Sequence, residues 1–164
     1  MENMDNFINT TTITERIHFL SLNLTLAKNI KSIRIENQTI DKEICDIWCN
    51  CFNKNEFDNV EFINCLFPYG FYIFCGIIVK NLKIINCGID SNDAMDIIRG
   101  VNPYVISYLN LSNNSLDDET NVISEKLITY CSPCWCATID LSGNCFTNEF
   151  KNKVKKYCEL EVIF

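Results

Sequence analysis

The chain holds a single histidine in 164 residues, and that scarcity removes much of enzyme chemistry at once. A cysteine or serine hydrolase with a histidine base would have to use His18. That residue sits in IHFLSLNLTLA, a setting that suits a packed or surface imidazole better than a general base. Positive charge is short as well. Lys and Arg number 14 against 21 Asp and Glu, a net charge of −7, so the basic footprint of a general nucleic-acid binder is missing. No apolar run reaches the ~20 residues that a membrane-spanning helix needs. The most apolar window, Cys65 to Val79, is interrupted by Pro68, Gly70 and Gly76. The opening MENMDNFINTTTITER is acidic and polar, without the basic-then-apolar order of a leader. The expected compartment is therefore the cytoplasm or the nucleus. A phosphate-binding glycine loop, a dinucleotide glycine motif and HExxH are all missing too.

What the chain has in excess is asparagine (22), isoleucine (23) and cysteine (11). The first two suit an AT-rich genome, such as some viruses and single-celled eukaryotes carry, and make any single Asn motif cheap. Eleven cysteines cannot all pair internally, and in a reducing compartment most are expected free and buried as small hydrophobes. A hydrophobic content of 48% is ample for one core at this length.

Against that background YLNLSNNSL, Tyr108 to Leu116, raises the question of a repeat. The template L-x-x-L-x-L-x-x-N-x-L fits ISYLNLSNNSL from Ile106, IKSIRIENQTI from Ile30, FDNVEFINCLF from Phe57, VKNLKIINCGI from Val79 and CATIDLSGNCF from Cys136. A truncated copy, YCELEVIF, starts at Tyr157, so the starts lie 27, 22, 27, 30 and 21 residues apart. The fourth and sixth positions alternate like one face of a short strand: Ile33/Ile35, Val60/Phe62, Leu82/Ile84, Leu109/Leu111, Ile139/Leu141 and Leu160/Val162. The ninth position (Gln38, Cys65, Cys87, Asn114, Asn144) turns the chain away and must satisfy the backbone groups freed there. Helical spacing is expected over Asp41 to Asn53, Ser91 to Val101, Asp117 to Tyr130 and Thr147 to Tyr157. Asp117–Asp118–Glu119 reads as acids at a helix start, and Lys151 to Lys156 as a solvated face near a helix end. A helix between Phe67 and Lys80 is disfavoured by its Pro and Gly.

The pattern over Ile30 to Phe164 resembles leucine-rich repeat proteins, whose units run 20–29 residues. The helical linkers are similar to the ribonuclease-inhibitor type, and NLKIINCGIDSNDAMDII to the cysteine-containing type. The resemblance implies an α/β solenoid, a horseshoe with a parallel sheet of about six strands on its concave side and helices on its convex side. Residues 1–29 would be an N-terminal cap or degenerate first repeat, and 30–164 the repeats. It also implies a non-catalytic protein-binding module, in the manner of an adaptor or a host-directed effector that recruits or inhibits an enzyme.

On that fold the third, fifth and seventh positions face outward on the concave side. The expected partner-binding residues are Arg34, Glu36, Glu61, Ile63, Lys83, Ile85, Tyr108, Asn110, Asp140 and Glu161, with Ile63 and Ile85 an exposed apolar pair beside Tyr108. Asn37, Asn64, Asn86 and Asn113 share the eighth position, either as a hydrogen-bonded ladder or as a polar strip for a partner. A protein partner is expected, with no nucleic acid, membrane, metal or cofactor. The apolar terminal strand ELEVIF leaves a homodimer through that edge open. The rival class is a thiol- or zinc-dependent enzyme or regulator at CSPCWC (Cys131, Cys134, Cys136). Zinc there would need Cys158 as its fourth ligand, and a Cys131–Cys134 staple is the redox alternative. CDIWCNC (Cys45, Cys49, Cys51) also offers only three thiols. Structural thiols are the favoured reading of both clusters.

Overall fold

The computed structural model describes residues 30–52, 55–101, 105–118, 138–157 and 161–164, leaving aside the side chains of Cys51 and Tyr157. Strands β1 (Ser32–Glu36), β2 (Glu56–Ile63), β3 (Ile78–Ile85), β4 (Tyr108–Asn110), β5 (Thr138–Asp140) and β6 (Glu161–Ile163) form one sheet in chain order. Every neighbouring pair is parallel. Helix α1 (Lys42–Phe52) follows β1, α2 (Ser91–Gly100) follows β3, and α3 (Asn148–Tyr157) follows β5. The expected cap over 1–29 with His18, the helix over 117–130 beyond Asp118, and CSPCWC with Cys158 lie outside the described residues.

Alternation decides which sheet face is buried. Ile35, Val60, Phe62, Leu82, Ile84, Leu109, Leu111, Ile139 and Leu141 are all buried, and their neighbours in sequence face the other way. Strand pairing aligns residues of the same template position: Ile33 with Val60, Val60 with Leu82, Leu82 with Leu109, Leu109 with Ile139. The last strand departs from the expected alignment. Val162 stands opposite Ile139, and Ile163 opposite Asp140, so Val162 holds the fourth position, and the sixth falls to Phe164. A shift of this size keeps each side chain on its face, and it brings Phe164 onto Phe146 and Phe150, at ring distances of 5.8 and 6.0 Å.

The helices start where an oxygen-bearing side chain follows the eleventh template position. Asp41 Oδ1 accepts the Ile44 N–H at 2.9 Å. Asp90 Oδ1 accepts from Asn92 and Asp93 at 2.8 and 2.9 Å, and Asp93 returns the bond to the Asp90 N–H at 3.0 Å. Thr147 Oγ1 accepts from Phe150 at 3.2 Å. In the second unit this place belongs to Pro68, which has no side-chain acceptor, and no α-helix follows. The chain instead closes a turn from Phe67 to Gly70, with the Gly70 N–H on the Phe67 carbonyl at 3.1 Å, and then a 3-10 turn at Tyr72–Phe74. The carbonyl carbon of Phe74 lies so close to Gly100 that a Cβ there would meet it at 3.1 Å, which locks this irregular segment against the end of α2.

The core is aromatic at one end. Trp48 of α1 lies 4.9, 6.3 and 5.6 Å from Phe52, Phe57 and Phe62, and Phe67, Phe71 and Phe74 continue the cluster. Phe52, Phe57, Phe62 and Phe74 are fully buried, and each contributes about 1.5–3 kcal/mol of transfer free energy.

Candidate functional site

The outer face of the sheet is held in place by two columns at the strand ends. Asn37, Asn64, Asn86 and Asn113 have φ of 55°, 53°, 52° and 56°, and Gly143, in the same column, has 70°. This left-handed region is one that only Gly and, among the rest, mainly Asn visit cheaply. The side chains also link: Asn64 Nδ2 donates to Asn37 Oδ1 at 3.0 Å, and Asn86 Nδ2 to Asn64 Oδ1 at 2.7 Å. Asn113 ends differently, its Oδ1 sitting where a Cβ on Gly143 would be 2.2 Å away. The signal for this conformation was present in the sequence, as a column made only of Asn and Gly.

The ninth column closes the backbone behind each turn. Asn114 Nδ2 donates to the carbonyls of Ile84, Leu111 and Ser112 at 2.7, 3.0 and 3.1 Å, and its Oδ1 accepts the Cys87 N–H at 2.8 Å. Asn144 Nδ2 reaches Leu111 and Leu141, both at 2.9 Å, and its Oδ1 accepts from Asn114 at 3.1 Å. Cys87 and Cys65 make the reduced version, each thiol donating to one carbonyl of the preceding strand and one of its own. The Cys65 thiol bond and burial push the Cys87 thiol up, so it stays protonated and structural. Gln38, the first of the column, is exposed, and it contributes its backbone carbonyl, to the Leu66 N–H at 2.9 Å.

On the outer face the third column is hydrogen-bonded across strands, Asn81 to Asn59 at 3.0 Å and Asn59 to Ser32 at 3.2 Å. The fifth column alternates in charge over β1 to β3, from Arg34 through Glu61 to Lys83. Glu61 receives Lys83 Nζ at 2.7 Å on one oxygen and Arg34 at 3.3 Å on the other, and Arg34 also pairs with Glu36. Ile63 and Ile85 are register partners, both half-buried. Tyr108 does not join them as expected: it stands opposite Asn81 in mid-strand, whereas Ile85 closes that strand. Its hydroxyl accepts from Asn110 Nδ2 at 3.0 Å, and the same amide donates to Asp140 Oδ2 at 3.1 Å. Asn110 is consequently buried, not presented to solvent. Glu161 is exposed and accepts from Thr138 Oγ1 at 3.0 Å.

Asn110 and Asp140 also explain why β4 and β5 are short. Each folds its Oδ1 back onto the N–H of the seventh position, Ser112 or Ser142, at 2.9 Å. That local bond competes with the ladder. Glu61 and Lys83 hold the same place in β2 and β3, which run on to Ile63 and Ile85.

Among the described residues no group of three or more His, Cys, Asp or Glu side chains is placed to hold a metal ion. Burial pushes the Cys45 and Cys49 thiols up. Among the described residues no helix is long and apolar enough to cross a membrane. The arrangement of the outer face is suited to recognition: fixed side chains, alternating charge, one apolar pair. The sequence matches no protein-family model and no curated protein.

Proposed function

We propose that this chain is a leucine-rich repeat solenoid working as a non-catalytic module that binds a protein partner on the concave, outer face of its sheet. The observation that carries the reading is the pairing of like template positions across the first five of six parallel strands in chain order. Such stacking turns each sequence column into a row of surface groups. Ile63 and Ile85 then form an apolar centre beside the Arg34–Glu61–Lys83 row, as in interfaces with an apolar core and a polar rim. Asp140 and Glu161 make the far end acidic, which favours a partner with basic residues. An adaptor or effector that recruits or inhibits an enzyme is the same module with that partner specified. A second copy paired along β6, the last strand of the described sheet, extends the reading to assembly.

The test is affinity capture with wild type, Ile63→Asp and Tyr108→Ala side by side, each first shown to keep the wild-type melting behaviour. The expected result is a partner retained by wild type and lost or reduced several-fold on the variants. Recovery of the same partner in equal yield from all three would move the site off this face.

A further inference from the structure

Four large apolar side chains are exposed among the described residues, and three of them belong to one short segment: Leu66 at 62%, Tyr69 at 55% and Tyr72 at 38%. This segment replaces the helix of the second unit and is held rigid by its backbone. Leu66 is tied to the first unit through both backbone groups, its N–H to the Gln38 carbonyl at 2.9 Å and its carbonyl to the Ile40 N–H at 2.8 Å. Pro68 and Gly70 fix the following turn, Gly70 at a φ of 79°. Between this segment and the start of α2 runs a groove of about 530 Å³, lined by Leu66, Phe67, Pro68, Phe71, Ile89 and the half-buried Asp93 among others. Phe71 is shared with a second groove of about 390 Å³ that includes Tyr69 and Tyr72 and the Asp96–Arg99 ion pair.

We propose that the Leu66 groove is a docking site for a protein segment that presents an aliphatic or aromatic side chain next to a lysine or arginine. The apolar lining supplies the first requirement. Asp93 supplies the second, since no Lys or Arg lines this groove and Asp90 adds another carboxylate at the same helix start. The same charge turns away an anionic bilayer, which would otherwise suit exposed leucine and tyrosine. Because Leu66 and the turn are already ordered by backbone bonds, little conformational entropy is lost when a partner seats there. The site is independent of the concave face, since neither Ile63 nor Tyr108 lines it.

The test is selection of a random displayed peptide library on the full chain, after depletion on a Leu66→Ser/Tyr69→Ser variant, with Tyr69→Ser alone, a change in the second groove, required to keep the binding. Both replaced side chains are more than half exposed, so the variant is expected to melt as wild type does; Leu66→Ser alone serves if it does not. Enriched peptides should pair Lys or Arg with Leu, Phe or Trp. Their synthetic forms should bind wild type at least about tenfold more tightly than the variant, weaken as salt rises, and bind Ile63→Asp as well as wild type. No enrichment, equal binding to the variant, or an acidic consensus would overturn the proposal. So would wild-type binding to phosphatidylserine vesicles through these residues, or a dimer by light scattering that the double variant abolishes.

Discussion

Asn114 shows how much one side chain does at the residue scale. It is buried and serves three carbonyls and one N–H from two stretches of chain. Truncation would strand the Cys87 N–H and the Ile84 carbonyl away from water, and a buried unsatisfied group costs about 1–3 kcal/mol. Asn114→Ala should therefore destabilise by roughly 3 kcal/mol in urea unfolding. Asn114→Cys should cost less than half as much, because Cys65 and Cys87 reach the equivalent carbonyl of the preceding strand and the Cys87 sulfur accepts the equivalent N–H, that of Cys65, at 3.4 Å. Equal losses for Ala and Cys would mean that the thiols only fill space. The ninth-position role was legible in the sequence because it follows from residue chemistry at a sharp turn. The eighth was half legible. Hydrogen bonding between asparagines is a property of side chains, but a positive φ belongs to the backbone and surfaces only when Gly143 is seen to share the column.

Helix starts tie one unit to the next at the element scale. Asp118 accepts both the N–H of Thr147, at 2.9 Å, and its hydroxyl, so the cap of α3 is itself braced from the preceding unit. Burial works to raise the Asp118 carboxyl, but the bonds from Thr147 and the charge of Lys151 outweigh it and hold it below its ordinary value. A carboxyl depressed by folding adds stability above its unfolded value of about 4 and loses it as pH falls through the folded value. Thr147→Val should cost about 1 kcal/mol near neutral pH through the lost cap. The gap to wild type should narrow as pH drops below about 4, since the variant keeps only the N–H bond to Asp118 and has no hydroxyl bond there to lose. Melting curves across pH check this, and a constant gap would assign the effect to the cap alone. The three described helices are legible from apolar spacing and cap residues, and so is the failure of the second unit to make one. The 3-10 turn is not, because it depends on Phe74 meeting Gly100 from a distant helix.

At the scale of the whole molecule the strand order puts β6 at an edge of the described sheet, with Ile163 41% exposed. Val162 packs against the core, so an edge-blocking substitution belongs at Ile163. If a second copy pairs along β6, light scattering should give a dimer for wild type and a monomer for Ile163→Lys, a charge that edge strands use against pairing. Identical monomeric masses would end the dimer reading.

The sequence by itself determined the parallel array's building block: which residues of each strand turn inward, which positions cap helices, and where the chain must turn. Those are properties of alternation and side-chain chemistry within a few residues, and they survive any packing. Tertiary structure alone decided the register of β6, where Phe164 meets Phe146 and Phe150. It also drew Tyr108 and Asn110 towards Asp140 of the next unit, and raised Leu66 and Tyr69 onto the surface. Each of these depends on contacts between residues of different units, whose energies are set by what stands opposite and not by what is adjacent in the chain.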